Sequence, residues 1–239
     1  METADCCGRV KRFSNNWLAL LLPLAFEVLA PQVQAAGGAH IVDDADVETP
    51  GTCHLEYWTA KFVPGDGYAN FAPACTFTAM PTLEIGAALQ HYWDVATGAP
   101  LFGPQIKLNL WPTSSGVGVA LGFNGGVNLT TGEMGLAQAI MPVTIPFNEN
   151  VRLNLNAGWS YLAGDRTHNA LFYGAQIEAT INTELMLMIE AFGRTNAASG
   201  LQMGVRYTPR AWVDFDVLVG NIFDTATTRF FTLGVTLRY

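Results

Sequence analysis

The chain has 239 residues, half of them hydrophobic and only 13% charged, whereas soluble domains carry about 25% charged residues. Its 12 Lys and Arg against 20 Asp and Glu give a net charge of −8. Nucleic-acid binding needs clustered Lys and Arg, so this composition argues against a nucleic-acid partner. Beyond residue 35 no apolar stretch approaches the roughly 20 residues of a membrane helix. The large apolar surface must therefore be accommodated in another way.

A cleavable signal peptide is predicted for residues 1–35. It has a basic stretch at 9–12, an apolar core at 17–26 and a small-x-small site at Val33-Gln34-Ala35, which are the three parts of an export signal. The ten residues of the core are too few to span a membrane as a helix, so an N-terminal anchor is the weaker alternative. Residues 36–51 are polar and acidic, and they are predicted to form a lead-in on the periplasmic side.

Residues 52–239 are predicted to form one β-barrel domain. Twelve short runs of alternating apolar and polar residues follow one another here, and several match the roughly 9–11 residues of a tilted membrane strand. The runs lie near 53–62, 69–77, 82–93, 104–111, 116–123, 135–146, 150–160, 169–180, 184–193, 200–208, 211–220 and 228–239. This pattern predicts an all-β fold, a transmembrane antiparallel up-and-down β-barrel of about 12 strands.

The connectors between these runs are predicted to alternate between short and long. The short set is 78–81, 112–115, 146–149, 181–183 and 208–210, and the long set is 94–103, 124–134, 161–168, 194–199 and 221–227. Short periplasmic turns and longer extracellular loops are typical of outer-membrane barrels. The alternation therefore places both termini on the periplasmic side.

Two cysteines remain once the signal peptide is removed, Cys53 and Cys75. If the first two runs form a hairpin centred near Pro64, these cysteines lie opposite each other. Exported proteins fold in a compartment that permits disulfides. A disulfide is therefore predicted at the base of the first hairpin, with two unpaired small residues as the alternative.

The last nine residues, 231–239, alternate strictly and end on an aromatic residue. Phe231, Leu233, Val235, Leu237 and Tyr239 share one face of the predicted strand. This stretch resembles the closing strand of bacterial outer-membrane β-barrels. The resemblance implies an outer-membrane location and recognition of this strand by the barrel-assembly machinery.

Aromatic placement indicates which face of the barrel meets lipid. The apolar face carries an aliphatic band with aromatic residues at both ends, as expected at the two interfaces of a membrane barrel. The aromatic residues are Trp93, Trp159, Tyr161 and Tyr173 at one end and Phe147, Tyr207 and Tyr239 at the other. A soluble barrel, which turns its apolar face inward, is the less favoured alternative. Outer-membrane lipid is therefore a predicted partner.

The opposite face carries charged residues and is predicted to line the lumen. The candidates are Glu56, Glu84, Lys107, Arg152, Glu178, Glu190, Arg206, Asp214 and Asp216. One interpretation is a structural ion-pair network, with Arg152–Glu178 and Arg206–Asp214 as pairs on adjacent strands. The other is a path whose charges select small-molecule solutes. Glu56, Lys107, Glu190 and Asp216 lie further from the short turns and are the more favoured solute contacts.

Signals for an enzyme are weak. The predicted mature chain has four histidines, His40, His54, His91 and His168, but no G-x-S-x-G, H-E-x-x-H or phosphate-binding loop. Neither remaining cysteine belongs to a metal-binding pattern. The sequence therefore predicts no catalytic residue, no metal site and no cofactor.

Four short segments resemble a family of small exported proteobacterial proteins. They are Ile41-Val-Asp-Asp-Ala45, Gly51-Thr-Cys-His-Leu-Glu-Tyr-Trp58, Pro73-Ala74-Cys75 and Gln105-x-Lys107. Members of that family are assigned to the outer membrane and to a phenol-degradation (meta-cleavage) pathway, or are described as transporter-like. The resemblance implies an outer-membrane barrel for uptake of small organic compounds, with aromatic ones as candidates. It carries no catalytic residue, and it leaves Asp43 and Asp44 as organisers of the periplasmic lead-in.

The favoured hypothesis is a narrow passive outer-membrane channel for small organic solutes. A plugged structural or adhesive barrel without transport is the alternative, and an envelope enzyme is a less favoured third.

Overall fold

The computed structural model describes residues 39–63, 65–93, 100–223 and 227–239. The predicted signal peptide, residues 36–38 of the lead-in and most of the predicted connector at 94–103 lie outside the described residues. No helix in the described ranges is long and apolar enough to cross a membrane.

The described chain folds as twelve strands in one closed barrel. Each strand runs antiparallel to its neighbours in sequence, and β1 pairs with β12 to close the sheet. The strands are β1 Thr52–Val63, β2 Gly67–Thr76, β3 Leu83–Trp93, β4 Leu101–Trp111, β5 Gly118–Asn128, β6 Met134–Pro146, β7 Val151–Leu162, β8 Asn169–Thr180, β9 Leu185–Arg194, β10 Ser199–Arg210, β11 Val213–Phe223 and β12 Thr227–Arg238. The prediction of a twelve-stranded antiparallel barrel is confirmed.

The two ends of the barrel differ less in connector length than the sequence predicts. At the end where β1 begins and β12 ends, here called the terminal end, residues 77–82 and 112–117 each form a six-residue connector. At the other, the loop end, residues 129–133 and 163–168 form connectors of five and six residues. The strict short-long alternation is therefore wrong.

The reason for this error is clearest in β5. The sequence predicts a loop from residue 124 because Asn and Gly cluster there, yet β5 continues to Asn128. Gly125 and Gly126 pair with β6 on one side, and Gly103 of β4 packs on the other, so closely that a Cβ on it would lie 2.1 Å from the Gly125 carbonyl oxygen. Glycine permits this close backbone approach, and pairing on both sides overrides its loop preference.

Burial in this barrel is the reverse of that in a soluble protein. Outward-facing Leu89, Phe215 and Leu233 are 40–56% exposed, whereas inward-facing Asn154 and Gln176 are at most 1% exposed. A continuous apolar exterior requires a lipid environment. Two exposed aromatics absent from the predicted belts, Trp111 and Trp212, strengthen the belt at the terminal end.

A disulfide and a backbone pair fix the first strand at the terminal end. Cys53 and Cys75 are direct cross-strand partners and form a disulfide, which confirms that prediction. On the other side of β1, Cys53 and Tyr239 exchange two backbone hydrogen bonds, with N–O distances of 3.0 and 2.9 Å. The seam between first and last strand is thus secured beside the disulfide.

Candidate functional site

The nine predicted lumen residues all lie on the inward face of the barrel. Seven of them are at most 8% exposed, and one of these seven, Asp214, is completely buried. Glu84 and Arg152 retain more exposure, at 14% and 18% of their side chains. Whether a solute can pass depends on what occupies the space between these side chains.

Residues 39–48 occupy the lumen and are called the plug segment below. Val42, Asp44 and Ala45 are completely buried. The segment starts beside Glu190, at mid-height of β9, and ends beside Glu84, at the terminal end of β3. The sequence interpretation leaves these residues as a lead-in outside the barrel. The complementary charges described next explain why they lie within it.

Strand side chains satisfy the backbone of the plug segment. The two oxygens of the Glu190 carboxylate accept hydrogen bonds from the backbone N–H groups of Ile41 (3.1 Å) and Val42 (2.7 Å). The Asn156 amide both accepts from Asp43 N (2.8 Å) and donates to Asp43 O (2.7 Å). Irregular backbone inside a membrane barrel needs such partners. They hold the segment in one register.

Three inward-facing cations bind the acidic side chains of the plug segment. Lys107 Nζ lies 2.9 Å from Asp43 and 3.0 Å from Asp44, and Arg152 Nη2 lies 3.0 Å from Asp44. At the terminal end, Arg238 Nε lies 2.6 Å from Glu48. The cations predicted to select a solute thus bind the chain's own carboxylates in this conformation.

Inward-facing glycines make room for the segment. A Cβ on Gly174 would lie 2.6 Å from Val42 Cγ2, and a Cβ on Gly234 would lie 3.1 Å from Ala39 Cβ. The plug segment occupies that room.

One of the two predicted ion pairs forms, and in the other each residue has a different partner. Arg152 and Glu178 are direct partners on β7 and β8, with 2.5 Å between Nε and Oε2. Arg206 instead faces Asp216, through Nε–Oδ1 and Nη2–Oδ2 distances of 2.8 and 2.9 Å, while Asp214 lies 2.8 Å from Arg238. β10 continues to Arg210, beyond its predicted end at residue 208, so Arg206 pairs with Asp216 rather than with Asp214.

The four histidines are widely separated. His40 and His54 are buried in the lumen among carboxylates, His91 is exposed on the outward face, and His168 packs edge-on against Tyr161 near the loop end. Among the described residues, no group of three or more His, Cys, Asp or Glu could hold a metal ion.

Aromatic side chains line the loop-end half of the lumen, above the plug segment. Phe62 packs against Phe230 at 5.5 Å between ring centroids, and Tyr68 packs against Tyr92 at 5.4 Å. Below them, Trp58 packs on an apolar cluster of Ala39, Met186, Met188 and Leu218. These inward aromatics were not predicted as site residues. They alternate with outward residues in the sequence, so the strand period alone could have placed them.

Asn70 adds an unusual polar group to this half. It is completely buried, and neither its amide nitrogen nor its amide oxygen has a hydrogen-bond partner among the described residues. Its cross-strand neighbours are Trp58 and Gln90. Because an unsatisfied buried amide is costly, this position favours a bound polar group.

A family model matches residues 24–239, which is most of the chain including every strand. The chain belongs to the family described as "Uncharacterised conserved protein UCP029691". That description names no pathway, so the link with phenol degradation stays a prediction. No curated protein is detectably similar in sequence.

Several solved outer-membrane barrels share the fold. The KdgM porin in complex with disordered oligogalacturonate aligns with a TM-score of 0.63 and 9% identity, covering 77% of this chain and 98% of the porin. The NanC porin gives 0.60 and 6%, with 77% and 98% covered. The COG4313 outer-membrane channel from Pseudomonas putida F1 gives 0.57 and 9%, with 81% and 97% covered. At these identities the likeness establishes the fold alone.

Proposed function

We propose that the protein is a passive channel of the bacterial outer membrane for small organic solutes, closed in this conformation by its plug segment. The observation that carries the proposal is the way the segment is held. Its bonds to the wall are ion pairs and hydrogen bonds, which water can replace. Its fully buried apolar side chains are the small residues Val42 and Ala45.

This kind of attachment favours a segment that can leave the lumen. Burial of apolar surface contributes about 25 cal/mol per Å², and small side chains contribute little of it. Each buried hydrogen bond contributes about 1 kcal/mol net because water bonds replace it on release. A segment that exchanges polar partners for water therefore moves at moderate cost, whereas the strand ladder around it stays closed.

The loop-end half of the lumen supports ring-bearing solutes as the substrate class. Phe62, Tyr68, Tyr92 and Phe230 offer ring faces and edges, and aromatic pairs contribute about 0.5–1.5 kcal/mol each beyond their area. The amide of Asn70 could bond a hydroxyl or similar group on such a ring. Passive diffusion of such a solute requires no catalysis and no cofactor.

A permanently plugged structural barrel is the second candidate. The number of bonds between wall and plug segment favours it, since at least seven strand side chains contact the segment: Glu84, Lys107, Asn109, Thr144, Arg152, Asn156 and Glu190. In that case the barrel passes no solute, and its outer loops act instead.

Planar-bilayer conductance of the purified barrel separates the two candidates. The wild-type protein is compared with a variant lacking residues 39–47, which keeps Glu48 and its bond to Arg238 at the terminal end. We expect brief or small openings in the wild type and at least tenfold greater mean conductance in the deletion variant. A folded deletion variant that carries no current would overturn the channel proposal.

A further inference from the structure

Carboxylates outnumber cations in the closed lumen. The plug segment contributes Asp43, Asp44, Asp46 and Glu48. The strands contribute Glu56, Glu84, Glu178, Glu190, Asp214 and Asp216, which makes ten carboxylates among the described residues. The Lys and Arg that bind them are Lys107, Arg152, Arg206 and Arg238. Enclosing excess like charge raises its electrostatic energy, so docking of the segment favours a further source of positive charge.

His40 is placed to supply positive charge at the inner end of the plug segment. Its side chain is 2% exposed, with Nδ1 3.9 Å from Glu190 of β9 and Nε2 3.7 Å from Asp216 of β11. The side-chain amide nitrogen of Gln176 on β8 lies 3.2 Å from Nδ1. Arg206 of β10 reaches the same site through its bonds to Asp216. Two carboxylates on two strands thus face one residue of the segment.

His54 holds the corresponding position at the other end. Its Nδ1 lies 3.9 Å from Glu48 of the plug segment and 4.0 Å from Glu84 of β3. Its Nε2 lies 3.8 Å from Glu56 of β1 itself. Arg238 of β12 is the other cation at this site, bonded to Glu48 at 2.6 Å. His54 thus places a wall residue beside the last carboxylate of the plug segment.

We propose that a proton latches the plug segment: His40 holds it docked when charged and releases it when it loses its proton. The proposal rests on the proposed channel function and names its regulation. Glu190 and Asp216 face the His40 ring at 3.9 and 3.7 Å, within the range at which an opposite charge favours the protonated ring. Neither His40 Nε2 nor His54 Nδ1 has a hydrogen-bond partner among the described residues.

His40 and Asp43 of the plug segment both have a raised pKa in the docked state. Burial alone lowers the pKa of the His40 imidazole, but the Asp216 carboxylate outweighs it and leaves this pKa above its ordinary value. Enclosure in the lumen raises the pKa of the Asp43 carboxyl to about 7, against the opposing effect of Lys107. Docking therefore takes up protons at both groups. It is favoured below the raised pKa values and weakened as the pH increases through them.

The number of protons taken up on docking sets how steeply docking of the plug segment depends on pH. Each proton that docking takes up changes the ratio of released to docked molecules by at most about tenfold per pH unit. His40 and Asp43 acting together give at most about a hundredfold change per unit. If docking took up no protons, the ratio would not depend on pH.

Thiol accessibility measures release of the segment without relying on transport. Ala45 is completely buried against Thr144, and Ser114 lies exposed in the connector after β4. Ala45→Cys and Ser114→Cys are made separately in protein that lacks residues 1–35 and retains the Cys53–Cys75 disulfide. The ratio of their labelling rates cancels the intrinsic pH dependence of the thiol. We expect this ratio to increase at least tenfold from pH 5.5 to 8.5.

Histidine variants test whether His40 causes this pH dependence of labelling. In Ala45→Cys protein, His40→Gln should raise the labelling ratio at pH 5.5 toward that of the parent at pH 8.5, leaving the part of the pH dependence that Asp43 contributes. His168→Gln, near the loop end, should leave the profile unchanged. A flat ratio in the parent protein would overturn the latch, whatever the variants do.

Conductance measured on the same proteins distinguishes failure of the proposed latch from failure of the proposed channel. If labelling depends on pH but even the variant lacking residues 39–47 carries no current, the channel proposal fails and the latch stands. If current flows but neither current nor labelling depends on pH, the latch fails and the channel stands.

Discussion

The two halves of the lumen hold what lies in them by different physical means. In the terminal-end half, Lys107, Arg152 and Arg238 bind carboxylates of the plug segment. In the loop-end half, Phe62, Tyr68, Tyr92 and Phe230 form a wall of packed rings. Charge-based bonds respond to salt, pH and loss of a single partner, whereas ring contacts respond to shape and area. The difference suggests a gate in one half and solute selection in the other.

Removing one cation from the terminal-end half should have the largest effect. Lys107→Gln leaves Asp43 and Asp44 without the ammonium that contacts both of them. Breaking a buried ion pair costs about 3–5 kcal/mol, so we expect the docked state to lose most of its population and mean bilayer conductance to rise at least tenfold. Lys61→Gln is the matched control, because Lys61 is exposed and donates a hydrogen bond to the Gly65 carbonyl oxygen rather than to the plug segment. Equal conductance of Lys107→Gln and wild type would contradict the gate.

Removing rings from the loop-end half should act on the solute and leave the gate unchanged. We expect Tyr92→Leu to weaken block of the current by a small ring-bearing solute about three- to tenfold, because an aromatic contact contributes about 0.5–1.5 kcal/mol. Titration of the blocking solute measures this. Labelling of Ala45→Cys should not change. His91→Leu, at the outward-facing neighbour of Tyr92, is the control, and a change of equal size there would remove the distinction between the halves.

Loss of the disulfide should have the smallest effect on either half. Cys53 and Cys75 enclose a loop of 22 residues in sequence separation, and a disulfide of this size stabilises by about 3 kcal/mol in the chain-entropy model. We expect the double variant Cys53→Ser and Cys75→Ser to unfold at lower denaturant concentration. Unfolding is followed by the difference in gel mobility between the folded and the heat-unfolded barrel. Its conductance should equal that of the wild type, since the pair lies in the wall beside β12 rather than on the plug segment.

Period-two alternation was sufficient to predict the strands, because on most of them the inward residues are more polar than the outward ones. It could not predict where the strands end. Gly125 and Gly126 look like loop residues until the pairing of both neighbouring strands is known. The end of β10 at Arg210, which sets the register that pairs Arg206 with Asp216, likewise depends on tertiary structure.

The lumen walls were predictable, but their occupant was not. The inward positions of Lys107 and Arg152 follow from strand period alone, and the acidic composition of the lead-in is visible in the sequence. What the sequence does not state is that these charges complement one another in space. The inward glycines, Gly174 and Gly234, were a second signal, because their space fits Val42 and Ala39. Four acids before β1 and an excess of small inward residues together would have favoured an occupied lumen.

A disulfide lock tests most directly whether the plug segment controls passage. Ala39→Cys and Gly234→Cys place two Cβ atoms 3.1 Å apart, so a shift of a few tenths of an ångström gives the roughly 3.8 Å of a relaxed disulfide. Single-channel current of this variant is recorded before and after mild reduction that leaves Cys53–Cys75 intact, with Ala39→Cys alone as the control. The account predicts a silent oxidised barrel that opens on reduction, while the control conducts throughout. Equal current through the oxidised and reduced forms would contradict it.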